Sequence, residues 1–292
     1  MEVKKTGSLL GGSNGRLPLR KVKLADNEIS NEAIQALHIL EACLGSTLVA
    51  VYLYGSAVAG GLRKDSDVDL FVIVNRGLNR EDRTNLADAL MKISGKMGNA
   101  QSVRPLEVTV VDLREVVPWK YPPKKEFIYG EWLREDYERG QIPEACVDPD
   151  LTILLSQIRS NSIPLSGTAA SVMLDPVPMA DVRKAMRDSL PDLIDHLQGD
   201  ERNVILTLAR MWVTAATGKF VAKDEAAQWV IPRLAEEQTA LVDLAGKAYR
   251  GECVDHWENL DTELTALVYR LEMEIVSCLG KNRSQHSFSN NR

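Results

Sequence analysis

Residues 68–74, Val-Asp-Leu-Phe-Val-Ile-Val, limit the possible folds more than any other segment of this chain. A run that is apolar at every position but one buries both faces of an extended strand, so layers must cover it on either side. A second β-rich run at residues 48–54 stops abruptly at Gly55-Ser56, and a third spans about residues 106–111. Between the last two lies a helical pattern carrying Leu86, Leu90 and Ile93. Strand, turn, strand, helix, strand is the pattern of an α+β or α/β unit with a small mixed sheet. Ahead of it, Ser30 is placed to cap a helix whose apolar positions are Ile34, Leu37, Leu40 and Leu44, with Gly45 as its stop.

Beyond Pro118 the pattern predicts helices around residues 126–138 and again near 151–159. Asp175-Pro176-Val177-Pro178 reads as a linker, because two prolines in three positions stop a helix and stiffen the connection. After it, Ile205, Leu208, Trp212 and Ala215 recur at helical spacing, as do Leu260, Leu264, Leu267, Leu271, Ile275 and Cys278. These are core-facing stripes of a C-terminal helical bundle. The expected division is a disordered tail at 1–29, a sheet-bearing domain at 30–176, a helical domain at 177–281 and a second disordered tail at 282–292. There is no internal repeat.

Composition removes several classes of function. Forty-one acids against 35 bases give a net charge of −6, which argues against a nucleic-acid partner that needs a basic surface. No run approaches the roughly 18 apolar residues of a membrane span, and the basic N-terminal segment lacks the apolar stretch of a secretory signal. The chain is therefore expected to be cytoplasmic, with no membrane partner, and monomeric. Cys43, Cys146, Cys253 and Cys278 form no C-x-x-C pair, and the four histidines show no ligand spacing. Any metal should then be hard, with oxygen ligands.

Chemistry concentrates in residues 54–70. A strand ending at Gly55-Ser56 frees backbone N–H groups, glycine lets that backbone approach an anion, and the serine adds a hydroxyl. Asp67 and Asp69 follow at the start of the apolar strand, and a side-chain period of two puts both carboxylates on one face. Glu107 interrupts the apolar strand at 106–111 and faces the two aspartates if the strands are neighbours. Two or three adjacent anions lose solvation and repel, so a divalent cation is their natural partner. Three acids beside a Gly-Ser turn describe a site for a metal-bound nucleoside triphosphate. Transfer to an RNA end, transfer of AMP to a protein, and nucleotide binding without chemistry remain as rival readings.

Gly55-Ser56 followed by Ser66-Asp67-Val68-Asp69 resembles the G-S-x(9)-S-D-x-D signature of the polymerase-beta-like nucleotidyltransferase superfamily. Within it, residues 30 to about 281 resemble the bacterial aminoglycoside adenylyltransferases, and most of all those that act on the 9-hydroxyl of spectinomycin. Residues 51–69, 104–109, 117–119, 130–134, 199–210, 217–219 and 223–224 carry the likeness. The resemblance implies an N-terminal nucleotidyltransferase domain, a C-terminal helical domain, and ATP and drug held between them. It implies Asp67, Asp69 and Glu107 as metal ligands for about two magnesium ions, with Glu107 also the catalytic base. Gly55, Ser56, Ser66, Arg210, Lys223 and Tyr249 match ATP contacts, and Trp132 and Asp200 match drug contacts. Members that also modify streptomycin carry Trp and Asp nine and four residues before Asp200, where this chain has Pro191 and His196. The implied substrate is spectinomycin, with dual action on streptomycin as the alternative; some relatives have His where this chain has Asn203.

Overall fold

A computed structural model of the chain describes residues 29–59, 61–63, 66–96 and 103–281. The two expected tails, apart from Ile29, and Gly60, Lys64 and Asp65 of the loop after Gly55-Ser56, lie outside the described residues. Ile29, assigned to the tail on sequence grounds, packs against the sheet core.

Helix α1 (Asn31–Leu44) begins at Ser30, whose hydroxyl accepts the Ala33 N–H at 3.2 Å, and ends at Gly45 with φ of 51°. Strand β1 (Leu48–Leu53), β2 (Val68–Val74), helix α2 (Arg80–Met91) and β3 (Leu106–Asp112) follow in the expected order. Leu86 and Leu90 of α2 are buried, while Ile93 lies just past its end. After α3 (Leu113–Val116) come β4 (Lys124–Lys125), β5 (Phe127–Tyr129), α4 (Arg134–Glu138), β6 (Cys146–Val147), α5 (Asp150–Ser160), β7 (Ile163–Ser166) and α6 (Ala170–Met173).

The principal sheet has the order β5-β3-β2-β1-β7. Strands β2 and β3 run parallel, and the other three neighbouring pairs are antiparallel, so the sheet is mixed as expected. One face, with Val51, Leu53, Leu70, Val72, Val108 and Val110, is covered by α1 and α2. The other, with Ala50, Tyr52, Phe71, Ile73 and Val111, is covered by α5 and α6. Coverage on both sides explains the apolar run of β2.

Two sequence expectations need correction. The helix expected over residues 126–138 is β5, a 3-10 turn at Glu131–Leu133 and only the short α4. Phe127-Ile128-Tyr129 is taken into the sheet by antiparallel pairing with Val108, Thr109 and Val110, a long-range contact that a local charge pattern does not reveal. Strand β7 was not anticipated. It pairs with β1 as an edge strand, a position that tolerates Pro164 and gives a weak strand signal.

Residues 175–178 are irregular, as the two prolines require, and the Asp175 carboxylate accepts the Trp119 N–H at 2.9 Å. The Trp119 indole N–H reaches Asp181 at 2.8 Å, pinning the start of α7 (Met179–Asp195) to the sheet-bearing part. Helices α8 (Glu201–Thr217), α9 (Lys223–Val230), α10 (Glu236–Tyr249) and α11 (Asp261–Lys281) complete the chain. Helix α8 is central, packed against α7, α9, α10 and α11, and the expected stripes on α8 and α11 supply its core. Helix α5 meets α7, which joins the sheet layers to the bundle.

Glu126 is buried beside Arg83, with side-chain exposures of 4% and 9%. Its Oε1 accepts the Leu78 N–H at 2.7 Å and the Arg83 guanidinium at 3.0 Å, and Arg83 also pairs with Glu144. Breaking a buried pair strands a charge, at a cost of about 3 kcal/mol or more. Glu126→Ala should lower unfolding free energy in urea by about that amount; a loss under about 1 kcal/mol would contradict the anchoring role.

Candidate active site

The parallel register of β2 and β3 sets Asp69 directly beside Glu107. Both side chains share the sheet face of Phe71, Ile73 and Val111, at the end of the strands that α5 and α6 leave open. Asp67 precedes Asp69 by two positions and falls on the same side. The Tyr54 N–H donates to the Asp69 carbonyl at 3.1 Å, which ties the end of β1 to the start of β2 and brings Gly55-Ser56 against the aspartate. A side-chain carbon added at Gly55 would lie 1.9 Å from Asp69 Oδ2, and Gly55 has φ of +66°. Only glycine provides both the space and the backbone conformation there. Asp69 also accepts a backbone hydrogen bond from Ser56.

Electrostatics follow from this crowding. Burial, then the charges of Glu107 and Asp67, raise the Asp69 carboxyl well above the usual carboxylate range. Burial raises Glu107 too, while the Tyr54 hydroxyl, donating to Oε1 at 3.0 Å, acts in the opposite direction. Burial is also the first cause of the upward shift at Asp67. Lys223, at the start of α9, opposes the upward shift in all three carboxylates from across the cleft. Burial and the neighbouring Arg210 lower the Lys223 ammonium.

This donor set suits magnesium, a hard cation that takes one or two carboxylates and completes its shell with phosphate oxygens and water. Asp67 and Asp69 supply such a pair, crowded and in want of positive charge. Among the described residues, no three His, Cys, Asp or Glu side chains are gathered to hold a metal ion. Glu107, the third expected ligand, sits in register beside Asp69, and its Oε1 accepts the Tyr54 hydroxyl at 3.0 Å.

All eleven site residues expected from the sequence line one cleft of about 2300 Å³ between sheet and bundle. That is larger than the roughly 300–1,000 Å³ of a single small-molecule site and leaves room for two substrates. Ser66 Oγ lines it while accepting the Arg63 N–H at 2.9 Å, so it shapes the loop. On the bundle side, Arg210 is fixed by donation to the Val221 carbonyl at 3.1 Å, and Lys223 lies over the Tyr249 ring at 5.8 Å. Asp200 stands at the start of α8, where its Oδ2 accepts from Asn203 at 3.0 Å. Trp132 is 53% exposed, and its indole lies so close over Gly130 that a side-chain carbon there would come within 2.3 Å. Arg134 and Tyr129 both bond the buried Glu131 next to it, fixing the turn that presents the indole.

Sequence reasoning assigned no contact to several residues that matter here. Tyr54 holds Glu107, and period-two spacing from Tyr52 could have revealed it. The Arg63–Asp224 ion pair, 3.1 Å across the cleft mouth, depends on how sheet and bundle meet, and the Lys223–Asn203 contact on how α8 and α9 pack, which no local pattern encodes.

Residues 39–117 match the family of polymerase beta nucleotidyltransferases, and residues 172–274 match the aminoglycoside adenylyltransferase C-terminal domain. A spectinomycin 9-adenylyltransferase of Staphylococcus aureus is 56% identical over 256 residues, covering 88% of this chain and 98% of that protein. The chain belongs to the aminoglycoside adenylyltransferase family. An aminoglycoside (3'') (9) adenylyltransferase of Escherichia coli is 39% identical over 87% of this chain and 97% of its own length. The crystal structure of a spectinomycin adenyltransferase from Enterococcus faecialis with ATP and spectinomycin superposes with a TM-score of 0.80 at 36% identity. That match covers 84% of this chain and 98% of the other.

Gly55→Ala pushes a methyl group into the Asp69 carboxylate. Calorimetric affinity for ATP with magnesium should fall at least about tenfold, equivalent to 1.4 kcal/mol, while the circular dichroism spectrum remains that of the folded protein. Unchanged affinity would separate the Gly55–Asp69 contact from nucleotide binding.

Proposed function

We propose that this protein transfers AMP from ATP to the 9-hydroxyl of spectinomycin, releasing pyrophosphate and conferring resistance to the drug. The observation that carries this reading is the in-register pair Asp69 and Glu107, with Asp67 beside it, opening on a cleft large enough for both substrates. The likeness to relatives that act on spectinomycin supports the choice of acceptor.

Asp67 and Asp69 would hold magnesium, with two ions expected when ATP is bound. Bound there, magnesium neutralises charge on the triphosphate and on the departing pyrophosphate. Gly55, Ser56 and Ser66 border the phosphates, and the bundle brings Arg210, Lys223 and Tyr249 to the opposite side. Glu107 takes the proton of the attacking drug hydroxyl. Burial raises its affinity for a proton, the direction a general base requires. The Tyr54 hydroxyl fixes one of its oxygens and leaves the other to face the acceptor.

Asp200 offers a carboxylate to the cationic drug, and Trp132 offers an exposed flat face for packing or cation-π contact. Pro191 is inside α7, His196 ends that helix, and His196 and Asp195 line the cleft. The absence of the Trp and Asp of dual-specific relatives from positions 191 and 196 supports spectinomycin as the single drug substrate. The division at residues 176 and 177, a monomeric state and a cytoplasmic location complete the proposal. Among the described residues no helix is long and apolar enough to cross a membrane.

Mass spectrometry of spectinomycin incubated with protein, ATP and magnesium should show the added AMP; an unmodified drug would refute the assignment. Streptomycin in the same assay should remain largely unmodified, and equal turnover of both drugs would overturn the specificity. Glu107→Gln should keep nucleotide affinity and lose roughly 10² to 10⁴ in kcat, because an amide of the same shape accepts no proton.

A further inference from the structure

Asn203, the third residue of α8, bonds to both sides of the proposed site at once. Its amide nitrogen donates to Asp200 Oδ2 at 3.0 Å, and its amide oxygen accepts from the Lys223 ammonium. A carboxamide carries one donor face and one acceptor face, so it bridges an anion and a cation without being charged. The anion here is the carboxylate assigned to the drug, and the cation is the one assigned to ATP. The bridge also crosses between elements, from the N-terminus of α8 to the N-terminus of α9.

We infer that Asn203 is a positioning residue that couples the nucleotide side of the cleft to the acceptor side, so that either ligand opens the same bridge for the other. This rests on the roles given above to Lys223 and Asp200. A triphosphate draws the Lys223 ammonium away from the Asn203 oxygen. The released oxygen becomes an acceptor next to Asp200, where a cationic drug brings N–H and O–H donors. If the drug binds first, it competes with the Asn203 amide for Asp200 and loosens the other end. In both orders the first ligand bears the cost of breaking the bridge and the second is spared it, which is positive coupling. Linkage requires the effect to be reciprocal, and couplings of this kind lie at about 5- to 150-fold.

Spectinomycin affinity should be measured by calorimetry with and without a magnesium complex of an ATP analogue whose α–β bridging oxygen is a methylene, which prevents transfer. In the unaltered protein the analogue should tighten drug binding by about fivefold or more. Asn203→Leu, close in volume but without either polar face, should bring the ratio within about twofold of one. Drug affinity in the absence of nucleotide should hold or rise, because the drug then has no bridge to break. Asn203→Gln, which retains both faces, should restore part of the ratio. An effect of packing alone would leave Leu at least as well coupled as Gln. Equal ratios in the unaltered protein and Asn203→Leu, or a ratio of one in the unaltered protein, would overturn the coupling role alone. An unaltered protein that binds the analogue but not spectinomycin would overturn the acceptor assignment as well.

Discussion

Two carboxylates side by side on parallel strands, in a place that burial makes hostile to charge, are the constraint around which the rest of this molecule is arranged. The register of β2 and β3 leaves Asp69 and Glu107 no freedom to move apart, and Asp67 adds a third charge at the mouth. Such crowding is tolerable only when positive charge arrives from elsewhere. On the sheet-bearing side, Lys125 of β4 opposes the upward shift of Glu107. Lys223 and Arg210 come from the helical bundle across the cleft, so the two halves of the chain are bound into one site by electrostatic need as well as by packing.

The fold was legible wherever burial is dictated by local sequence. The apolar β2, the capped α1 and the stripes of α8 and α11 could be read because one periodic pattern determines each. Residues 126–138 misled because Glu131, Arg134, Glu135, Asp136 and Glu138 make a helix-like composition, whereas Phe127 and Tyr129 are drawn into the sheet by a partner strand far away in sequence. Strand β7 was invisible for the complementary reason: it is short, contains a proline, and exists only because β1 has a free edge.

For the site, the two aspartates and the glutamate were legible from spacing. Their companions Arg210, Lys223, Tyr249, Trp132 and Asp200 came only through family resemblance, since nothing in their local sequence distinguishes a cleft residue from a solvated helix start. Tyr54 and Asn203 show what remains hidden. Each acts through a hydrogen bond to a side chain in another element or another turn, and its effect depends on an orientation that sequence spacing leaves open.

The ion pair between Arg63 and Asp224 closes the mouth of the cleft with groups that water still reaches. A pair of this kind holds by well under 1–2 kcal/mol and is weakened by dissolved ions, whereas the apolar cores of the two halves are not. Ionic strength thus acts selectively: dissolved salt weakens this pair across the mouth and leaves the packing of α5 against α7 in place.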